Sequence, residues 1–128
     1  MVNPTRIYDK GENRKKHQGT SREARIVHED GKEVGKCPKG FSLEAAQKLL
    51  VEGAIEERKS RQPDVPFRLW NVHNGVVYQA RTSDSGRTWH GWSVGASHIP
   101  CKIRRQLEDR AIDLEEAHLL KKWLSKRF

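Results

Sequence analysis

The 128-residue sequence has only two cysteines, few aromatic residues and no long hydrophobic run. Cys37 and Cys101 cannot build a disulfide framework, and the N-terminal stretch has no apolar core of the kind found in secretion signals. No apolar stretch approaches the ~20 residues that a membrane helix needs. These absences predict reduced thiols, no membrane partner and a cytoplasmic location.

The sequence also lacks the short motifs that mark common enzymes. It has no glycine-rich phosphate loop, no dinucleotide fingerprint, no nucleophile elbow and no paired-carboxylate motif. We therefore expect no cofactor, and we favour a protein without catalytic activity while leaving an enzyme open. His98 and Cys101 have a spacing that zinc can use, and Cys37 could add a ligand, but no CxxC or HxxxH pair is present. These three residues are weak metal candidates, and two ordinary thiols are the preferred interpretation.

Charge of one sign is in excess. Lys and Arg number 25 against 17 Asp and Glu, which gives a net charge of +8, spread along the chain without a long basic block. A field of this sign attracts polyanions such as nucleic acid or an acidic protein surface. The same charge also keeps a small domain in solution, so both interpretations stay open.

The first part of the chain differs from the rest. Residues 1–36 are dense in charged residues and show neither helical nor strand periodicity. We predict a poorly ordered basic arm there, with a short ordered piece around residues 24–29. Residues 37–128 are predicted to form a single domain.

The clearest pattern in that domain is a β-meander at about 67–94. The turn sequences His73-Asn74-Gly75 and Ser83-Asp84-Ser85-Gly86 separate three runs rich in β-branched and aromatic residues. Asn-Gly between two such runs is a strong hairpin signal. The three predicted strands are 67–72, 76–82 and 87–94.

Helical patterns flank the meander on both sides. Ser42 is a good N-cap for a helix that precedes the meander. After it, Pro100 suits the first turn of a second helix, and Asp113 with Glu116 predicts a capping-box start for a third. Because a single meander must bury one face, we expect the helices to cover it. The predicted fold class is α+β: a three-stranded antiparallel meander packed against one preceding and two following helices, with a flexible basic N-terminal arm.

The third strand contains the unusual stretch TWHGW, residues 88–92. Alternation places Trp89 on one face and His90 and Trp92 on the other, unless Gly91 forms a bulge. An exposed aromatic residue beside basic side chains is typical of sheet surfaces that bind single-stranded nucleic acid. We therefore predict a module that binds RNA or DNA through this face and the arm. The predicted contact residues are Arg68, Arg81, Arg87, His90, Trp92, Lys121, Lys122 and Lys126.

Two other functions fit the same residues. A protein-interaction or inhibitor module would dock its basic surface on an acidic partner, with a tryptophan as the hot spot. A metal-independent ribonuclease of the toxin type would use His73 and His90 for acid–base chemistry, with Arg81 and Arg87 stabilising the transition state. A basic meander with helices is loosely similar to small bacterial ribonuclease toxins, but the helix order differs and no motif matches, so the sequence is not assigned to that family.

Overall fold

The computed structural model describes residues 6–8, 25–29, 32–36, 43–58, 65–82, 84 and 86–126. The strands in these ranges are β1 Ile7–Tyr8, β2 Arg25–Glu29, β3 Lys32–Lys36, β4 Ile55–Glu57, β5 Arg68–His73, β6 Val76–Thr82 and β7 Thr88–Ser93. The α-helices are α1 Leu43–Val51, α2 Cys101–Asp113 and α3 Ala117–Ser125, and a 3₁₀ turn spans Ala96–His98. The predicted α+β class is confirmed.

The main sheet has five strands in the order β1-β7-β6-β5-β4. The predicted meander forms its antiparallel centre, β5-β6-β7, but the prediction of three strands is wrong. β4 extends one edge antiparallel to β5, and β1 extends the other edge parallel to β7. With three and two residues, β4 and β1 are too short to show the alternation on which strand prediction depends.

The turn between β5 and β6 has the backbone that its sequence predicts. Asn74 and Gly75 both have positive φ, 51° and 77°, as the two central residues of a type I′ turn require. The backbone N–H of Gly75 donates a hydrogen bond of 3.1 Å to Oε1 of Glu116, just before α3. The hairpin tip is therefore fixed to the start of the last helix.

The capping-box prediction at this helix is wrong. Asp113 is the last residue of α2, and Leu114 and Glu115 turn the chain before α3 begins. Glu116 occupies the N-cap position but makes no side-chain cap hydrogen bond, because its carboxylate accepts the hydrogen bond from Gly75. A contact distant in sequence has replaced the local one.

Helices cover both faces of the sheet. α1 packs on the face of Leu69, Ala80 and Trp89 through Leu50. α2 and α3 pack on the opposite face, and this larger core contains Val72, Val77, Ile103, Leu107, Leu120 and Trp123. Both faces of the central strands are therefore apolar near the helices, which is why β5 and β6 are buried along most of their length.

The edge strand β1 is held by a side chain of α1. Gln47 accepts a hydrogen bond of 2.7 Å from the backbone N–H of Tyr8, and it donates one of 2.5 Å to the backbone oxygen of Arg6. On the side of β1 away from β7, the amide of Gln47 therefore makes the hydrogen bonds that the backbone of a neighbouring strand would make. It satisfies backbone groups that a two-residue strand would otherwise leave without partners.

Arg6 itself is buried and binds two other elements. Its Nη1 donates 3.0 Å to the backbone oxygen of Leu50, and its Nη2 donates to Oε1 of Glu56. Burial acts to raise the pKa of Glu56, but hydrogen bonds from Arg58 and Arg6 outweigh burial, so the pKa lies below its usual value. Arg6 therefore connects β1, α1 and β4 around an ionised carboxylate.

Part of the predicted arm is structured. β1, β2 and β3 all lie within residues 1–36, and β2 coincides with the short ordered piece expected around 24–29. The other residues of the arm lie outside the described part of the chain. The prediction that 37–128 forms a domain alone stays a prediction.

Among the described residues, no helix is long and apolar enough to cross a membrane.

Candidate functional site

Strand register brings four of the predicted contact residues onto one face of the sheet. Gln79 pairs with Trp92, and Arg81 pairs with His90, across β6 and β7. Arg68 lies on the same face, two residues before Trp70, which pairs with Gln79 from β5. Residues two apart in a strand point to the same face, so Arg68, Arg81, His90 and Trp92 share the face that α2 and α3 cover at its other end.

A cleft of about 240 Å³ opens on this face. Arg68, Gln79, Arg81 and Trp92 line it from the sheet, and Ser93, Val94, Gly95 and His98 line it where β7 runs into the 3₁₀ turn. Ile26 of β2 lines it from the separate two-stranded sheet. The cleft therefore combines three apolar side chains, Trp92, Val94 and Ile26, with basic and amide groups.

Arg68 is fixed by an ion pair at the edge of the cleft. Its Nε and Nη2 donate 2.7 and 3.0 Å to the two carboxylate oxygens of Glu57, and its Nη1 donates 3.3 Å to Oε1 of Gln79. Oε1 of Glu57 also accepts 3.0 Å from Nε1 of Trp70. The side chains of Arg68 and Glu57 are only 18% and 23% exposed. Because a bidentate pair already neutralises its charge, Arg68 is better suited to orienting Gln79 than to binding a phosphate.

The surroundings of Arg81 differ from those of Arg68. Its side chain is exposed, its guanidinium lies 5.9 Å from the ring centroid of Phe67, and within the described ranges no carboxylate lies within ion-pair distance of it. The guanidinium of Arg68 lies 4.8 Å from the same ring. Phe67 thus supports both arginines, and of these two Arg81 is the cation that an anion can reach.

The two tryptophans of TWHGW lie on opposite faces, as alternation predicts. Trp89 is fully buried against α1, and its Nε1 donates 2.9 Å to the backbone oxygen of Gly86. Trp92 is half-buried and lines the cleft. The register from Tyr78 to Thr82 runs without interruption past Gly91, so there is no bulge at this glycine.

Gly91 instead leaves room on the α1 side of the sheet. A Cβ at this position would lie 3.1 Å from the backbone oxygen of Gln79. Beside it, α1 and the sheet border a partly open apolar space of about 30 Å³, lined by side chains that include Tyr8, Leu50 and Leu69. A space this small is a packing gap, not a ligand site.

The two histidines of the ribonuclease hypothesis are not brought together. His73 pairs with Val76 at the tight turn, while His90 pairs with Arg81. Val76 and Arg81 are five positions apart in β6, about 17 Å along the strand. Alternation also places His73 on the α1 face and His90 on the cleft face. A mechanism that shares one phosphate between the two histidines therefore has no support in this arrangement.

The remaining predicted residues lie away from the cleft. Arg87 is exposed in the turn before β7, and Lys121, Lys122 and Lys126 are exposed on or just after α3. Lys126 lies 5.3 Å above the ring of Trp123, whose Nε1 donates 2.8 Å to the backbone oxygen of Val94. These cations contribute to the overall field but do not line the cleft.

The metal candidates do not form a site in the part of the chain that the structure describes. His98 lines the cleft and Cys101 is an exposed thiol, while Cys37 lies outside the described residues. No group of three or more metal-ligating side chains occurs among the described residues.

The sequence-based site missed Gln79 and Glu57. Gln79 is the one amide in the run Val76–Ala80, which otherwise consists of apolar and aromatic residues. The sequence pattern of this strand could therefore have drawn attention to Gln79. Glu57 carried no such signal, because it lies in a charged stretch after α1 whose strand character depends on pairing with β5.

No protein-family model matches this chain, and no curated protein or solved structure is significantly similar to it. The site must therefore be interpreted from its own chemistry.

Proposed function

We propose that this protein binds single-stranded nucleic acid in the cleft between the main sheet and the β2–β3 hairpin. The observation that carries the proposal is the meeting of an accessible cation, Arg81, with a half-buried indole, Trp92, in a cleft of about 240 Å³. Phosphates require cations, and unstacked bases bind on aromatic side chains. The net charge of +8 would favour approach of a polyanion to this cleft.

A single strand fits the cleft better than a duplex. Trp92 lines the cleft from the main sheet and Ile26 lines it from β2, and a base can enter between them only when it is not paired. α3, whose lysines could contact a duplex, presents them outside the cleft. The protein is expected to bind without a metal or cofactor.

The test is fluorescence anisotropy with labelled single-stranded RNA and DNA at low and moderate salt. Affinity should fall as salt rises, with a slope of about −0.7 for each phosphate contact to a single strand. Arg81→Ala should weaken binding and flatten the slope by about that amount. Trp92→Leu should weaken binding with little change in slope, because stacking releases no counterions.

Arg105→Ala is the charge-matched control. Arg105 is exposed on α2 and does not line the cleft, so its loss should change affinity much less than the loss of Arg81. Absence of binding at low salt, or equal effects of the two arginine substitutions, would contradict the proposal. Equal competition by polyglutamate would instead indicate the acidic-protein partner, and shortened oligonucleotides that depend on His90 would indicate the nuclease.

A further inference from the structure

Gln79 is a largely buried polar residue at the centre of the sheet, and among the described residues only its amide oxygen has a hydrogen-bond partner. The residue is 5% exposed and lines the cleft between Trp70 and Trp92, its partners on the neighbouring strands. Its Oε1 accepts a hydrogen bond from Nη1 of Arg68. Within the described part of the chain, no group accepts a hydrogen bond from its Nε2. Two N–H donors therefore lie at the floor of the cleft with no acceptor among the described residues.

The orientation of this amide follows from the chemistry of its neighbour. A guanidinium has only donors, so the atom of Gln79 that faces Arg68 must be the oxygen. Arg68 in turn is fixed by two hydrogen bonds to Glu57. The chain Glu57–Arg68–Gln79 therefore directs the NH₂ group, and not the oxygen, towards a ligand in the cleft.

This orientation distinguishes between bases. A glutamine usually recognises adenine with both atoms of its amide, the oxygen accepting from the exocyclic amine and the nitrogen donating to the ring. Here the oxygen already accepts from Arg68, so a two-point contact to adenine would need its second lone pair. The NH₂ group can donate to adenine only at a ring nitrogen, and two of the three ring nitrogens lie beside the exocyclic amine. Uracil, thymine, cytosine and guanine instead offer a carbonyl oxygen that can accept from Nε2. Adenine is the base without a carbonyl oxygen.

We propose that the cleft holds one unpaired nucleotide and selects a base that carries a carbonyl oxygen, which accepts a hydrogen bond from Nε2 of Gln79. The base lies against Trp92, and its phosphate is bound by Arg81. Glu57 and Arg68 are positioning residues that hold the amide in the selective orientation. The inference rests on the proposed function, because it names the base that the same cleft prefers.

The test compares labelled oligomers of about 12 nucleotides, a length within the span of one single-strand site. Uridine and adenosine oligomers form the RNA arm, and thymidine and deoxyadenosine oligomers form the DNA arm. The parent protein should bind the uridine and thymidine oligomers more tightly than their adenosine partners. Because the selective contact is to the base and not to the sugar, the protein should prefer uridine over adenosine in RNA and thymidine over deoxyadenosine in DNA.

Two substitutions at Gln79 separate base selection from the intrinsic stacking of adenosine strands. Gln79→Met keeps the length of the side chain but has no donor, and it should lower the ratio of the two affinities by about fivefold to tenfold, the loss of one hydrogen bond. Gln79→Glu keeps an acceptor for Arg68, replaces the donors with an acceptor, and should abolish the preference or reverse it towards adenine. The added negative charge weakens binding to both oligomers, so the ratio is the quantity to compare.

The outcomes separate this inference from the proposed function. If none of the oligomers binds, the proposed function fails and the inference fails with it. If they bind but the parent has no preference, or if either variant is folded by circular dichroism and keeps the parental ratio, the inference alone is overturned. A ratio that falls in both variants while Arg81→Ala weakens all oligomers alike is the result that the structure predicts.

Discussion

Trp89 and Trp92, three residues apart in β7, lie on opposite faces of the sheet. Trp89 is fully buried against α1, while Trp92 is half-buried in the cleft opposite Gln79. The first indole fills a core and donates its N–H to the backbone oxygen of Gly86. The second lines the cleft on the opposite face. One short stretch of sequence thus supplies both the stability of the sheet and the aromatic side of its candidate site.

Alanine at these two positions should have different effects. Trp89→Ala should lower the free energy of unfolding by about 3–5 kcal/mol, because it leaves a large cavity in the core. Trp92→Ala should cost only about 1–2 kcal/mol, because part of the indole is already in water. Denaturant unfolding followed by circular dichroism measures both, and oligonucleotide affinity should be lost in the folded Trp92 variant. Equal destabilisation by the two substitutions would contradict the assignment of the two faces.

The ion pair of Glu57 and Arg68 should matter more for stability than an exposed ion pair. Glu57→Gln leaves the half-buried guanidinium of Arg68 without a counter-charge, and we expect a loss of about 1–3 kcal/mol. Glu108→Gln is the control, since Glu108 pairs with Arg104 on α2 at 3.6 Å with both side chains about half exposed. That substitution should change stability by no more than about 0.5 kcal/mol. Thermal or denaturant unfolding distinguishes the two, and similar losses would show that the Glu57 pair is not special.

The meander could be predicted because its signals are local. Asn74-Gly75 specifies the backbone of the turn, and the strands on either side are rich in β-branched and aromatic residues. β1 and β4 could not be predicted, because they depend on contacts distant in sequence. Gln47 completes the hydrogen bonds of β1, and β4 is a strand because its backbone pairs with β5.

The candidate site was predicted in part for the same reason. Alternation was sufficient to group His90 and Trp92, and the register added Arg81 and Arg68 to their face. Alternation could not show that Glu57 neutralises Arg68, since Glu57 lies in a strand that was not predicted. The roles of the two arginines therefore differ, although their sequence patterns are alike.

Gly75 should tolerate alanine poorly. Its φ of +77° is costly for a residue with a side chain, and a Cβ would lie 2.4 Å from Cβ of Leu119 and 2.5 Å from its backbone carbon. The left-handed backbone alone costs about 1–2 kcal/mol, and α3 would have to move away from the turn, so the total should exceed about 3 kcal/mol. Denaturant unfolding of the parent and Gly75→Ala measures this loss in the free energy of unfolding.

Gly86→Ala is the matched comparison for the turn glycine. Gly86 also has a positive φ, +98°, but its Cβ would meet only side chains, Val65 at 3.0 Å and Trp89 at 3.8 Å. Side chains adjust more easily than a helix backbone, so Gly86→Ala should be the milder substitution. The reverse order would show that the hairpin tip is not packed against α3.

The turn between β6 and β7 should make the stability of the protein depend on acid pH. Asp84 accepts hydrogen bonds from the hydroxyl of Thr88 at 2.6 Å, from the backbone N–H of Thr88 at 2.8 Å and from the hydroxyl of Thr82 at 3.0 Å. The hydroxyl of Thr88 contributes most, and together these contacts lower the pKa of Asp84 from 3.8 to about 2. A folded-state pKa below the unfolded one means that folding favours the carboxylate, so this contribution is complete above about pH 4 and is lost as the pH falls towards 2.

Asp84→Asn should therefore be less stable than the parent at pH 7, and the difference should shrink between pH 4 and pH 2. Thr88→Val removes the hydroxyl donor while keeping the shape of the side chain, and it should remove part of the same pH-dependent step. Denaturant unfolding of the parent and both variants at pH 7, 4 and 2 measures the effect. A stability difference between parent and Asp84→Asn that stays constant over this range would mean that the carboxylate of Asp84 is not what holds the turn. A stability difference that disappears in acid would show that the ionised carboxylate of Asp84 holds the turn before Trp89 in place.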